Sequence, residues 1–269
     1  SIPQWKQDMA IGFNPPKRRW LSNDDFDYGE GAFEYGWYNA TEHVQGKWVR
    51  QVVFVKGKDA RKEGYHLVID TVEPADKKLR TWRHPWQLGL NASNIAIRGA
   101  DRSATAIAAG VALQILPVGE MTPRLIQGQE QPELLGWRIY DTTANPWPVP
   151  TYEWQADGTF CRAWVIQMQT EESQWPVESV EAEPTQSPGE LRFTVHLRNG
   201  RADHVIRRFP GGPPFECRGG MIAGDLAVLR TDAAGTNLAR LEMQQGEDSV
   251  AKPLLPSNLP AARAETPSK

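Results

Sequence analysis

The sequence predicts an all-β protein, a large antiparallel β-sandwich of stacked, supersandwich-like sheets. Three observations predict it. Short β-branched and aromatic runs follow one another along most of the chain. Gly, Pro, Asn or Asp stand at most junctions between them. Helical periodicity is scarce, and many short strands without intervening helices can bury their apolar faces only against other sheets.

The elements follow in chain order. Gly31 to Trp37 reads GAFEYGW, an aromatic and glycine-rich strand. Trp48 to Val55 (WVRQVVFV) and Tyr65 to Val72 (YHLVIDTV) are β-branched strands, joined by the charged turn KGKDARKEG. Ala104 to Leu116 has an Ala-rich, helix-like composition, but Gly110 and a β-branched run divide it into two short strands. Further strands are expected at Asn94 to Arg98, Gly136 to Tyr140, Arg162 to Met168, Leu191 to Leu197, Ala202 to Arg207 and Leu226 to Thr231. The proline-rich stretches Asn145 to Pro150 and Pro210 to Pro214 are expected outside any central strand. Glu171 to Gly189, acidic and proline-containing, reads as an exposed connection. One β-sandwich domain is expected over 1–246, with 247–269 as a flexible C-terminal tail.

The totals exclude several functions. A 269-residue chain with 40% hydrophobic residues can build a sizeable core. Its net charge of -3 gives no reason to expect nucleic acid as a partner. No stretch approaches the ~20 apolar residues of a membrane span. The two cysteines, Cys161 and Cys217, cannot form a C-x-x-C site; they form either one disulfide or two buried thiols. No signal peptide is visible at Ser1, although a periplasmic or extracellular location is expected. Nucleophile-elbow, phosphate-loop and dinucleotide motifs do not occur.

Eleven tryptophans imply flat exposed faces as well as core. Trp82, Arg83, His84 and Trp86 lie in one strand-like segment, where Trp82, His84 and Trp86 share a face. Two indoles beside charged groups suit a sugar platform; the alternative is that both fill the core and His84 is a satisfied polar neighbour. Trp147, between Pro146 and Pro148, is a second platform or a plug over the sandwich edge. Asp24, Asp25, Asp27 and Glu30 offer oxygen ligands to a hard cation such as calcium, or form a solvated loop. Tyr28, Tyr35 and Tyr38 are possible proton-transfer groups, with nothing nearby to mark one as activated.

The order of four segments carries a resemblance. FDYGEGAFEYGWY (26–38), WVRQVVFVK (48–56), YHLVIDTVEP (65–74) and LRTWRHPWQLG (79–89) resemble the heparinase II/III-like polysaccharide lyases. GWR (136–138), PWPVPTYEW (146–154) and FCRAWVIQMQ (160–169) resemble later strands of the same C-terminal β-portion. The resemblance implies β-elimination of uronic-acid polysaccharides and an N-terminal (α/α) toroid as partner domain. It also makes His84 a possible ligand of a structural zinc, and Arg50 and Asp70 architectural positions. His66 departs from the pattern, standing where many members have Trp.

The catalytic groups of such lyases lie mostly on the toroid, and the series of amphipathic helices that would build one is not expected from this sequence. The expectation is therefore a β-portion that contacts acidic polysaccharide and is inactive by itself. Two rivals stay open: a free-standing carbohydrate-binding sandwich, and a structural or interaction protein whose tryptophans are all core.

Overall fold

The computed structural model describes residues 19–243 apart from 35, 39–42, 58–62, 90, 132–133, 141–142, 171–173, 186, 188 and 218–219. For 37, 38, 139, 140, 215–217 and 220 only the backbone is described. The expected tail, 247–269, lies outside the described residues.

The described elements are strands. In the first third of the chain they are β1 (Arg19–Ser22), β2 (Phe26–Phe33), β3 (Trp37–Tyr38), β4 (His43–Val44), β5 (Gly46–Val55), β6 (Tyr65–Pro74), β7 (Arg80–Pro85) and β8 (Ser93–Ile97). Next come β9 (Ala104–Ala108), β10 (Val111–Val118), β11 (Thr122–Ile126), β12 (Trp137–Tyr140), β13 (Thr143–Pro146), β14 (Val149–Ala156) and β15 (Phe160–Gln169). The last are β16 (Val177–Glu183), β17 (Leu191–Leu197), β18 (Ala202–Arg207), β19 (Phe215–Cys217), β20 (Gly220–Ile222), β21 (Leu226–Thr231) and β22 (Asn237–Met243).

Three sheets stack. The central sheet has eight strands in the order β1-β2-β5-β6-β15-β10-β9-β8. A five-stranded sheet, β16-β17-β18-β21-β22, covers one of its faces, and a three-stranded sheet, β11-β14-β7, lies on the other. Strand alternation builds both cores. On β5, Val49, Val53 and Val55 point toward the five-stranded sheet while Trp48, Arg50 and Val52 point the other way. β6 is covered on both sides and is buried almost without interruption from Tyr65 to Val72.

The larger core joins Phe26, Tyr28, Leu67, Ile69 and Val165 of the central sheet to Phe193, Val195, Val205, Val228 and Leu241 of the five-stranded sheet. Each such burial is worth ~1.5–3 kcal/mol. Polar ties cross this core as well. Tyr65 donates to Asp203 Oδ2 at 2.6 Å, and Arg230 pairs with Asp203 at 2.9 Å. Arg207 donates to Gln51 Oε1 at 2.9 Å. The smaller core packs Trp164, Val68 and Ile115 against Tyr152, Trp154, Trp86 and Met121. Cys161, on β15 in the larger core, is a free thiol buried beside Thr71, so it forms no bridge with Cys217.

The division of Ala104 to Leu116 into two strands holds: β9 and β10 form a hairpin around Gly110 at φ 79°. Three expectations need correction. The GAFEYGW strand starts earlier and ends at Phe33, because Gly36 turns the chain at φ 75°, where any Cβ would stand 2.1 Å from the Val44 carbonyl oxygen. Pro150 sits inside β14, the middle strand of its sheet. Pro150 stands opposite Trp86 at the end of the β14–β7 ladder, where its carbonyl accepts from Trp86 N at 2.8 Å, so its missing N–H costs only one bond at the ladder's end. The acidic connection contains β16, an edge strand whose Glu178, Glu181 and Glu183 are exposed.

Candidate functional site

β7 carries the tryptophan–histidine segment, and alternation puts Trp82, His84 and Trp86 on one face, as expected. That face looks into the layer against the central sheet. Trp82 meets Phe160 edge-on at 4.9 Å, and His84 lies 4.3 Å from the Trp164 ring and 4.8 Å from Trp86. Arg83 points to the opposite face. Its Nε donates to Glu153 at 2.7 Å, and Arg124 holds the other oxygen of that carboxylate at 2.7 Å. Trp147 stands apart, in the turn between β13 and β14, with the Arg138 guanidinium 4.1 Å over its ring.

His84 is one corner of a cluster drawn from three strands. Arg50 on β5 makes a bidentate pair with Asp70 on β6, Nε to Oδ1 at 2.8 Å and Nη2 to Oδ2 at 2.7 Å. The His84 ring places Nδ1 3.4 Å from Asp70 and Nε2 3.3 Å from Arg50 Nη2. Burial lowers the His84 pKa to about 4, with Asp70 opposing the shift and Arg50 reinforcing it. The imidazole is therefore neutral near pH 7. The Arg50 guanidinium also lies 4.7 Å over the Trp48 ring, and its Nη1 makes no hydrogen bond to a described residue.

The described residues do not by themselves fit a zinc or calcium ion. Among the described residues no group of three or more His, Cys, Asp or Glu is placed to hold a metal. Asp70, the carboxylate beside His84, is already held by Arg50. On β2, alternation throws Asp27 and Glu30 to opposite faces. Asp27 pairs with Lys56 at 2.8 Å, and Glu30 pairs with Arg19 at 2.8 Å. The described tyrosines are equally committed. Tyr28 donates to Glu30 at 2.7 Å, Tyr65 to Asp203, and Tyr152 to the Ile115 carbonyl at 3.1 Å. Burial pushes all three phenols up, out of the range useful for proton transfer. Tyr35 lies outside the described residues, as does the side chain of Tyr38.

Sequence reasoning missed the surface beside this cluster. Among the described residues, the core under the three-stranded sheet reaches Val52 of β5 but no residue of β1 or β2. The registers fix what stands on that bare face. One rung is Trp20–Gly29, the next Gly31–Arg50, the next Phe33–Trp48; each runs on to a covered residue, Val52, Asp70 and Val72 respectively. Trp20 is 73% exposed and Phe33 44%. The signal was present in FDYGEGAF: period two puts Phe26, Tyr28 and Glu30 inside and Gly29, Gly31 and Phe33 outside.

No protein-family model matches the chain, and no curated protein matches it. Solved structures do. Heparan sulfate lyase HepC from Pedobacter heparinus is 15% identical, with a TM-score of 0.49, over 71% of this chain and 27% of that chain. A mutant of the same lyase is 16% identical at the same TM-score. A heparinase III is 14% identical, with a TM-score of 0.44, over 66% of this chain and 25% of that chain. This chain thus matches about a quarter of the length of those structures. Among the described residues no helix is long and apolar enough to cross a membrane.

Proposed function

We propose that this chain is the β-sandwich portion of a larger, heparinase II/III-like polysaccharide lyase, which holds an acidic polysaccharide, supports an (α/α) toroid and does not cleave by itself. The observation that carries this reading is convergence. Arg50, Asp70 and His84 come from three of the sequence segments that resemble such lyases, and they meet in one half-open cluster lined by Trp48, Trp86 and Trp164.

β-Elimination next to a uronate needs three things: a cation on the carboxylate, a base for the C5 proton and an acid for the leaving oxygen. The cluster offers the first through Arg50. It offers neither of the others, since His84 is buried, neutral and turned onto Asp70, and the described phenols are buried donors. Binding without turnover is the chemistry such a site supports.

The test is to incubate the full chain with alginate, heparin and heparan sulfate and follow the ultraviolet absorbance of unsaturated product, with affinity electrophoresis run in parallel. The expected result is retarded migration in at least one acidic polysaccharide gel and a flat absorbance trace. Sustained formation of unsaturated product, or no retardation anywhere on the panel, would sink the reading. The 73% exposure of Trp20 favours a second reading, a free-standing carbohydrate-binding sandwich. It differs in needing no toroid for full affinity.

A further inference from the structure

We infer that the bare face of β1, β2 and β5 is a subsite for one sugar unit carrying an anionic substituent, with Gly31 as floor, Trp20 and Phe33 as walls and Arg50 as the anion contact. This deepens the proposed function and rests on it, by assigning residues outside the tryptophan–histidine strand.

The shape comes from the registers. Trp20 packs its six-membered ring against Gly29, where a Cβ would meet Cε3 at 3.4 Å and Cζ3 at 3.5 Å, and it still leaves 73% of its surface to solvent. Two residues further along β2, a Cβ on Gly31 would meet nothing within 4 Å. Two further still stands Phe33, 44% exposed, beside Trp48. Same-face neighbours on a strand are ~6.7 Å apart, so along β2 the Trp20 and Phe33 rungs lie ~13 Å apart, and no described side chain comes within 4 Å of a Cβ at Gly31, midway between them. An exposed apolar slot of this kind marks a binding surface more often than chance exposure does.

The chemistry comes from the end of the slot. Gly31 is paired directly with Arg50, one strand spacing of ~4.8 Å away. Asp70 takes Arg50 Nε and Nη2, which orients the guanidinium over Trp48, and Nη1 makes no hydrogen bond to a described residue. The Arg50 side chain is 33% exposed, so it remains reachable. A planar cation fixed at one end of an aromatic slot is complementary to a ring with apolar C–H faces and one carboxylate or sulfate. Nucleic acid also combines flat rings with anions, but the net charge of -3 opposes it.

The test uses the full chain and three variants, in affinity electrophoresis and calorimetric titration. Probes are alginate (carboxylate only), heparan sulfate (carboxylate and sulfate), dextran sulfate (sulfate only), uncharged dextran and a single-stranded oligodeoxynucleotide. Gly31→Val fills the floor at a strand position with room for a side chain, so the fold is kept. Trp20→Ala removes one wall from an exposed site, and Leu238→Ala, on the distant β22, is the control. The expected result is that an anionic polysaccharide binds, that Gly31→Val and Trp20→Ala each weaken it at least tenfold, and that Leu238→Ala leaves it unchanged. Alginate against dextran sulfate then identifies the anionic group. Binding that all three variants leave intact overturns the subsite and spares the proposed function. Dextran binding as tightly as the anionic polymers, or tighter binding of the oligonucleotide, overturns the assignment of Arg50. Failure of the wild-type chain to bind any polysaccharide overturns both proposals.

Discussion

The His84 imidazole lies within 4.8 Å of both the Trp86 and Trp164 rings, where a charged ring would be poorly solvated. Its pKa of about 4, against an ordinary 6.5, links it to stability. Above pH 6.5 the folded and unfolded chains both hold it neutral, and it contributes no pH dependence. Between 6.5 and 4 the unfolded chain takes up a proton that the folded chain refuses, so stability falls as pH falls. At ~1.4 kcal/mol per pKa unit the loss is on the order of 3–4 kcal/mol at most. The His66 pKa is lowered as well, mainly by burial, and adds in the same direction. Urea midpoints at pH 7 and pH 4.5 should therefore differ less in His84→Gln than in the wild-type chain; equal differences would contradict this placement of His84. The sequence made Trp82, His84 and Trp86 legible as one face. It left open which way that face looked, because the answer depends on Phe160 and Trp164, some eighty residues away. Gly29 and Gly31 were harder still to read, since a functional gap is marked only by what is missing.

Single strands tie the layers together through polar groups that apolar patterning does not reveal. Asp203 on β18 is fully buried, accepting from Tyr65 of the central sheet and from Arg230 of β21. Asp203→Ala would leave a buried guanidinium without its carboxylate, and chemical denaturation should show a loss of ~3–5 kcal/mol. Tyr65→Phe removes one hydrogen bond and keeps the ring, so a loss of ~1 kcal/mol is expected. Gly31→Val acts in the opposite sense. Gly31 is a strand residue with no steric demand on its Cβ, so the β-branched side chain should leave stability unchanged or raise it by up to ~1 kcal/mol. The β-branched strands were legible from composition, and β21 falls where it was expected, at Leu226–Thr231. β14 and β16 were not. Pro150 hides the first, because its tolerance depends on where the neighbouring ladder starts. Glutamates hide the second, although charges on an edge strand are what discourages pairing with another chain.

At the scale of the molecule, unequal sheet widths create the site. Among the described residues, the eight-stranded sheet packs against partners of only five and three strands. The three-stranded layer stops near β5, and there a buried aromatic core meets an open aromatic face with Arg50 at the boundary. The stacked all-β architecture was legible in strand spacing and missing helical periodicity. The step between layers was not, because it follows from which strands pair across long separations, such as β6 with β15. As proposed above, this module would grip an acidic polysaccharide without breaking it. Size-exclusion chromatography of alginate or heparan sulfate after prolonged incubation with the full chain tests both halves at once. The account predicts protein eluting with polymer of unchanged size; polymer shortened by the isolated chain, or protein eluting free of every acidic polymer, would contradict it.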